Sequence, residues 1–129
     1  MHIESKLTLI GAGSILLLDS VGSLLSVHFH FPYTLFLPAS LAVYFGMTYW
    51  AAKCLNLRGT LTFGAFLGLI DATIGWKLSD WLGADPDRHL QKITFSAWCI
   101  TAVFVMILGA VIAGIAFLIA SGRNKRESR

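Results

Sequence analysis

Charge is what this sequence has least of. Asp, Glu, Lys and Arg make up 13% of its 129 residues, against about a quarter in an ordinary soluble domain. The shortage is concentrated, since residues 20–52 and 93–122 contain none of the four. A disordered chain needs many charges and few apolar residues, and a soluble nucleic-acid binder needs a basic face; both are excluded. Cysteine occurs twice and proline three times. Two cysteines cannot build a disulfide scaffold, and so few prolines leave long segments free to be helical. A glycine-rich phosphate loop after a strand, a CxxC pair, HExxH and the nucleophile elbow are all missing, and no Ser-His-Asp set stands out. Nothing specific points to an enzyme.

Apolar residues are abundant instead. They form 56% of the chain, and its mean hydropathy is +0.71. A helix needs about 20 mainly apolar residues to cross the hydrocarbon core. Four stretches qualify, at about 7–28, 33–52, 60–80 and 94–121. Helices are expected because lipid forces each segment to satisfy its own backbone. Runs such as 104–108 do not alternate as barrel strands do. The expected fold is all-α: one polytopic transmembrane domain over 1–129 with four spans and short loops. The first span reads as part of the mature protein, because Asp19 interrupts it and no small-x-small cleavage site follows.

Basic residues predict the orientation. Lys53 and Arg58 follow span two, and Arg123, Lys125, Arg126 and Arg129 fill the tail. The loop after span one has no Lys or Arg, and the loop after span three is mixed, with Asp85, Asp87, Arg88 and Lys92. The positive-inside rule then puts both termini in the cytoplasm, with the chain in the plasma (inner) membrane. The net charge of +3 reflects this bias, and the tail reads as a lipid-headgroup anchor rather than a nucleic-acid patch. Tyr33, Trp76, Trp81 and Trp98 fall at the outer level and Tyr49 and Trp50 at the inner one, as amphipathic rings prefer. Cys54 and Cys99 fall at opposite membrane faces, about 30 Å apart and beyond disulfide reach.

Two acids break the apolar pattern, Asp19 in span one and Asp71 in span three. Both spans run outward and both acids sit near their midpoints, so they should share one depth near the bilayer midplane. Each disfavours insertion by about 2.5–3.5 kcal/mol. Lys77 lies about 9 Å further along its helix than Asp71 and is expected to snorkel outward beside Asp80. A buried carboxylate without a basic neighbour takes a proton or binds a cation. The expected guests are H⁺ or Na⁺, with Ser20, Ser23 and Ser26 near Asp19 and Thr73 near Asp71 offering further oxygens. In the competing reading each Asp is protonated and hydrogen-bonds a neighbouring helix.

Small residues recur at helical spacing in every span. Gly64, Gly68, Asp71 and Gly75 share one face of span three, and Ala12, Ile15, Asp19, Gly22 and Ser26 one face of span one. Span four has Ala102, Met106, Gly109, Ala113, Ala116 and Ala120, and span two has Ala39, Ala42, Gly46 and Tyr49. Such seams let backbones approach closely, within the bundle or between subunits. Four thin helices enclose little space, so a homo-oligomer in the lipid bilayer is expected. Pro38 either starts span two or kinks it.

Spans one and three also resemble each other. Leu7-Thr8 matches Leu61-Thr62, Gly11-Ala12 matches Gly64-Ala65, Asp19 matches Asp71 and Gly22 matches Gly75, with small gaps. If this is a repeat, the chain is two parallel helical hairpins about an axis along the membrane normal. At the outer face, His28, His30 and His89, with Asp85 and Asp87, offer a weak metal set whose spacing matches no motif; the alternative is a solvated cap. The leading expectation is a small channel or transporter handling protons or small cations through the two acids. The alternatives are an accessory or membrane-perturbing subunit in which the acids pair helices, with a protein partner still to be identified, and, lower, a binder or enzyme of lipid-like molecules.

Overall fold

The computed structural model describes residues 3–30, 33–83 and 94–127. Among these residues every regular element is helical. Helix α1 spans Ile3–Phe29. A 3-10 turn at Tyr33–Phe36 leads into α2, Leu37–Cys54. Helix α3, Leu57–Ile70, continues through a π-turn at Asp71–Gly75 into α4, Trp76–Trp81. Helix α5 spans Phe95–Glu127.

Local chemistry accounts for the breaks. His30 ends α1 with φ of 54°, the left-handed conformation that closes many helices and that His tolerates better than most residues. Pro38 sits in the first turn of α2, where its missing N–H would be unsatisfied anyway. It therefore starts that helix rather than kinking it. Asn56 caps α3, its Oδ1 accepting the Gly59 N–H at 2.8 Å. With only Leu55 and Asn56 between them, α2 and α3 are held as antiparallel neighbours.

Three helices are long and apolar enough to cross a membrane: Ile3–Phe29, the continuous Leu57–Trp81, and Phe95–Gly122. The outward surface suits that setting. Leu17 and Leu24 on α1 and Ile100, Phe104 and Leu118 on α5 are more than half exposed, an apolar area that a soluble monomer rarely shows. Helix α2 differs. It has 18 residues, about 27 Å of rise, and it carries Tyr44, Thr48, Tyr49, Trp50 and Lys53.

The packing is uneven. Helix α5 lies closely along α3 and also meets α2, while α1 meets α2 and the whole α3–π–α4 segment. The closest approach joins α3 to α5 at glycines. A Cβ on Gly64 would fall on the Gly109 carbonyl oxygen, and a Cβ on Gly109 on that of Gly64. One turn along, a Cβ on Gly68 would come within 2.5 Å of the Val105 carbonyl oxygen. Ala102, Gly109, Ala113, Ala116 and Ala120 are buried, so the expected seam of span four is a true packing face. Ala113 sits against Gly64. Between α1 and α2 the contact is sparser, so the two helical hairpins do not pack alike.

The small residues of span two are not a packing face within the single chain. Ala39, Ala42 and Gly46 are exposed, and a Cβ on Gly46 would meet nothing within 4 Å. The buried face of α2 is Tyr44, Thr48 and Ala51. Tyr44 fills this face where α2 meets α5, its ring 3.4 Å from where a Cβ on Gly109 would stand, and it joins a core of Leu7, Ile15, Ala51, Phe63 and Leu67. In α1 the buried line is Leu7, Gly11, Ile15, Asp19, Gly22, Ser23 and Ser26. It follows the expected face, with Gly11 replacing half-buried Ala12.

Candidate functional site

The π-turn builds the site. Across it the Trp76 N–H reaches the Asp71 carbonyl, five residues back, instead of the usual four. Every later residue is thereby displaced by about one residue, roughly 100°, around the helix. Gly64 and Gly68 face α5, but Gly75, which a straight helix would place on the same side, faces α1. There a Cβ on Gly75 would fall on Asp19 Oδ2 and within 3.2 Å of Asp71 Oδ1. Thr73 supports the turn, its hydroxyl donating to the Leu69 carbonyl at 2.6 Å.

The two acids therefore meet. Asp19 comes from the middle of α1 and is 4% exposed, and its carboxyl hydrogen-bonds that of Asp71. A third group joins them from α2. The Tyr44 hydroxyl donates to Asp71 Oδ2 at 2.9 Å and lies 3.3 Å from the Leu67 carbonyl oxygen. Tyr44 is itself buried, and its carbonyl accepts the Thr48 hydroxyl at 2.7 Å. Three helices thus contribute one polar group each to a common point inside an apolar bundle. A hydrogen bond between two carboxyl groups needs a proton on one of them, so the arrangement can hold a shared proton.

The other expected residues fall as follows. Ser23 is fully buried one turn beyond Asp19, and its hydroxyl has no hydrogen-bond partner among the described residues. The Ser20 hydroxyl donates to its own helix at the Leu16 carbonyl, 2.7 Å away. Ser20 and Thr73 both spend their protons on backbone. Gly22 is buried on the Asp19 face. Lys77 and Asp80 are exposed, beyond the carboxyl pair toward the end of α4. His28 and His30 are exposed, with the His28 ring edge-on to Phe29 at 5.1 Å. His89 lies outside the described residues, and no group of three metal-ligating side chains occurs among those described.

Tyr44 is the residue that sequence reasoning missed. Its signal was available: Tyr44, Thr48 and Ala51 recur at spacings of one helix face, and Tyr44 and Thr48 are polar within an apolar stretch. Replacing Tyr44 with Phe keeps the ring and deletes the donor. That leaves an oxygen of the half-buried Asp71 carboxyl short of a partner, at a cost of about 1 kcal/mol. The Tyr44→Phe protein should unfold at lower temperature in detergent than the parent, whereas Tyr49→Phe, at a half-buried position, should not.

Comparisons with protein-family models, with curated proteins and with solved structures give no match for this chain.

Proposed function

We propose that this protein is a small membrane channel or transporter for protons or small cations, with Asp19 and Asp71 as the groups that take up and release the moving ion. The observation that carries the reading is the meeting of the two carboxyls at one buried point, joined by the Tyr44 hydroxyl. Acids inside a membrane are costly and tend to mark ion and proton pathways. Between positions 7 and 52 the sequence holds no Lys or Arg, and within 60–80 only Lys77. The site therefore has little permanent positive charge to neutralise two carboxylates, and a mobile cation fills that role.

In this reading α2 also crosses the bilayer, with the turn at Tyr33–Phe36 extending it, and the topology is four spans with both ends cytoplasmic. Lys53 sits 4.8 Å from the Tyr49 ring centroid, a cation–π contact suited to the headgroup level. Subunits associate through the lipid-exposed apolar faces. In proteoliposomes carrying a pH-sensitive or Na⁺-sensitive dye, Asp19→Asn and Asp71→Asn should each abolish ion flux while the protein still assembles. Unchanged flux in both variants overturns the assignment.

A second reading has its own observation. The acids are hydrogen-bonded to each other and to Tyr44, as groups that merely join three helices would be. That accessory-subunit reading expects the Asn variants to assemble poorly and a protein partner to co-purify.

A further inference from the structure

The surroundings of the carboxyl pair differ between its two sides along the bundle axis. Toward the N-terminal end of α1 the layer of α1 and α3 next to the acids is apolar, and beyond it lies a cavity of about 360 Å³ whose walls include Glu4, Thr8, Thr62, Phe63 and Phe66. Leu7, Ile15, Phe63 and Leu67 are buried in that layer, and Gly11 packs so tightly that a Cβ would come within 2.8 Å of Leu67 Cδ2 and 2.9 Å of Phe63 Cζ. Toward the other end the buried residues are hydroxyls. Ser23 and Ser26 follow Asp19 on the buried face of α1 at one and two turns. Ser79 is the buried residue of α4, one turn beyond Gly75, and α4 packs on α1. Further along in the direction of this hydroxyl seam the ends of α1 and α4 carry the exposed His28, His30, Lys77 and Asp80.

One residue in the seam points to what occupies it. The Ser23 hydroxyl is fully buried with no hydrogen-bond partner among the described residues. A buried hydroxyl is normally satisfied by protein or by ordered water, and a polar site beside a carboxyl pair suits a water. We propose that the carboxyl pair exchanges its proton through this one-sided hydroxyl seam of Ser23, Ser26 and Ser79 between α1 and α4, while the packing of Leu7, Ile15, Phe63 and Leu67 closes the opposite side. The inference rests on the transport reading and adds a substrate and a route to it. The substrate assigned is H⁺ rather than a metal cation, because a line of carboxyl and hydroxyl groups bridged by water is what a proton relay requires. The step itself is a proton transfer: the O–H bond of one carboxyl breaks as an O–H bond to the hydroxyl-bound water forms, and the remaining proton deficit stays on the Asp19–Asp71 pair.

Thiol accessibility in sealed vesicles of determined orientation tests the route. The background carries Cys54→Ser and Cys99→Ala, and single Ser23→Cys, Ser26→Cys, Ser79→Cys and Leu67→Cys substitutions are added, with a membrane-impermeant thiol reagent supplied to either side. Only thiols reached by water form the reactive thiolate, so the serine-derived positions should react about tenfold or more faster than Leu67→Cys, and only from the side of the Phe29 end of α1. Equal rates, or reaction from the opposite side, overturn the route. A second arm uses Ser23→Val, which should slow dye-reported proton flux about tenfold in step with the lost exchange path, while a Na⁺ gradient without a pH gradient drives none. Na⁺-driven flux overturns the proton assignment but leaves the wider cation reading standing. Labelling as expected, combined with flux that survives both Asn substitutions, overturns the transport reading and leaves the hydrated seam.

Discussion

Gly109→Leu and Gly64→Leu should each prevent the native bundle from forming. The two glycines place backbone against backbone, and a Cβ on either would overlap the other's carbonyl oxygen. A flexible side chain can swing aside from a new methyl group, but a helical carbonyl cannot move without its helix. The helices would separate, and the flanking contacts made by Ala113 and Gly68 would be lost with them. Overpacking a well-filled core costs about 1–3 kcal/mol and sometimes more; here the upper end or beyond is expected, since two backbones must part. Even Gly109→Ala should destabilise. The control is sharp, because a Cβ on Gly13 or Gly46 would meet nothing within 4 Å. There Ala should be neutral or stabilising by up to about 1 kcal/mol, through helix propensity alone. Thermal unfolding in one detergent across the five variants checks the set; equal tolerance of Ala at 109 and 46 would refute the close crossing.

Gly75→Ala should give a different failure. Its new methyl group would land on Asp19 Oδ2 and crowd Asp71 Oδ1. These are ends of side chains, so the protein can fold by pushing Asp19 away. The carboxyls would then lose their mutual hydrogen bond, and each would be buried with a poorer partner. Ion flux should fall to the level of Asp19→Asn, while size-exclusion behaviour stays close to that of the parent and the melting temperature drops only moderately. Full flux in a well-assembled Gly75→Ala protein would show that the paired geometry is not what moves the ion. Taken with the glycines facing α5, this separates two uses of one small-residue face: Gly64 and Gly68 hold the bundle, and Gly75 makes room for the acid.

Much of the helical layout could be read in one dimension. Uncharged stretches bounded by basic clusters mark helices of membrane-crossing length, and α1, the α3–π–α4 segment and α5 fall where apolar residues accumulate. Asp19 and Asp71 stood out because each breaks an apolar stretch near the middle of its span with no basic residue at its level, and equal depth followed from parallel direction. A common depth was legible for that reason, but that the two side chains meet was not. Tyr44 was less legible, because a tyrosine in an apolar helix reads equally well as an interfacial ring or a core residue. The small residues of α2 take no part in packing within the single chain, because Ala39, Ala42 and Gly46 are exposed and no backbone of the chain arrives beside Gly46.

The order of residues by itself led to an all-α expectation with four apolar spans, of which three appear among the described residues as helices long and apolar enough to cross a membrane, and it picked out two acids within those spans. Those properties follow from local hydropathy and from the rule that backbone must be satisfied within each segment. Tertiary structure alone decided that a π-turn would sit at Asp71–Gly75 and swing Gly75 from α5 toward α1. It also brought a tyrosine from α2 to the acids and placed Ser23, Ser26 and Ser79 on one side of them and Leu7, Ile15, Phe63 and Leu67 on the other. The physical reason is that a one-residue shift in helix register, small in local energy, is selected by which neighbour's atoms fill the space, and that information is spread over three helices at once.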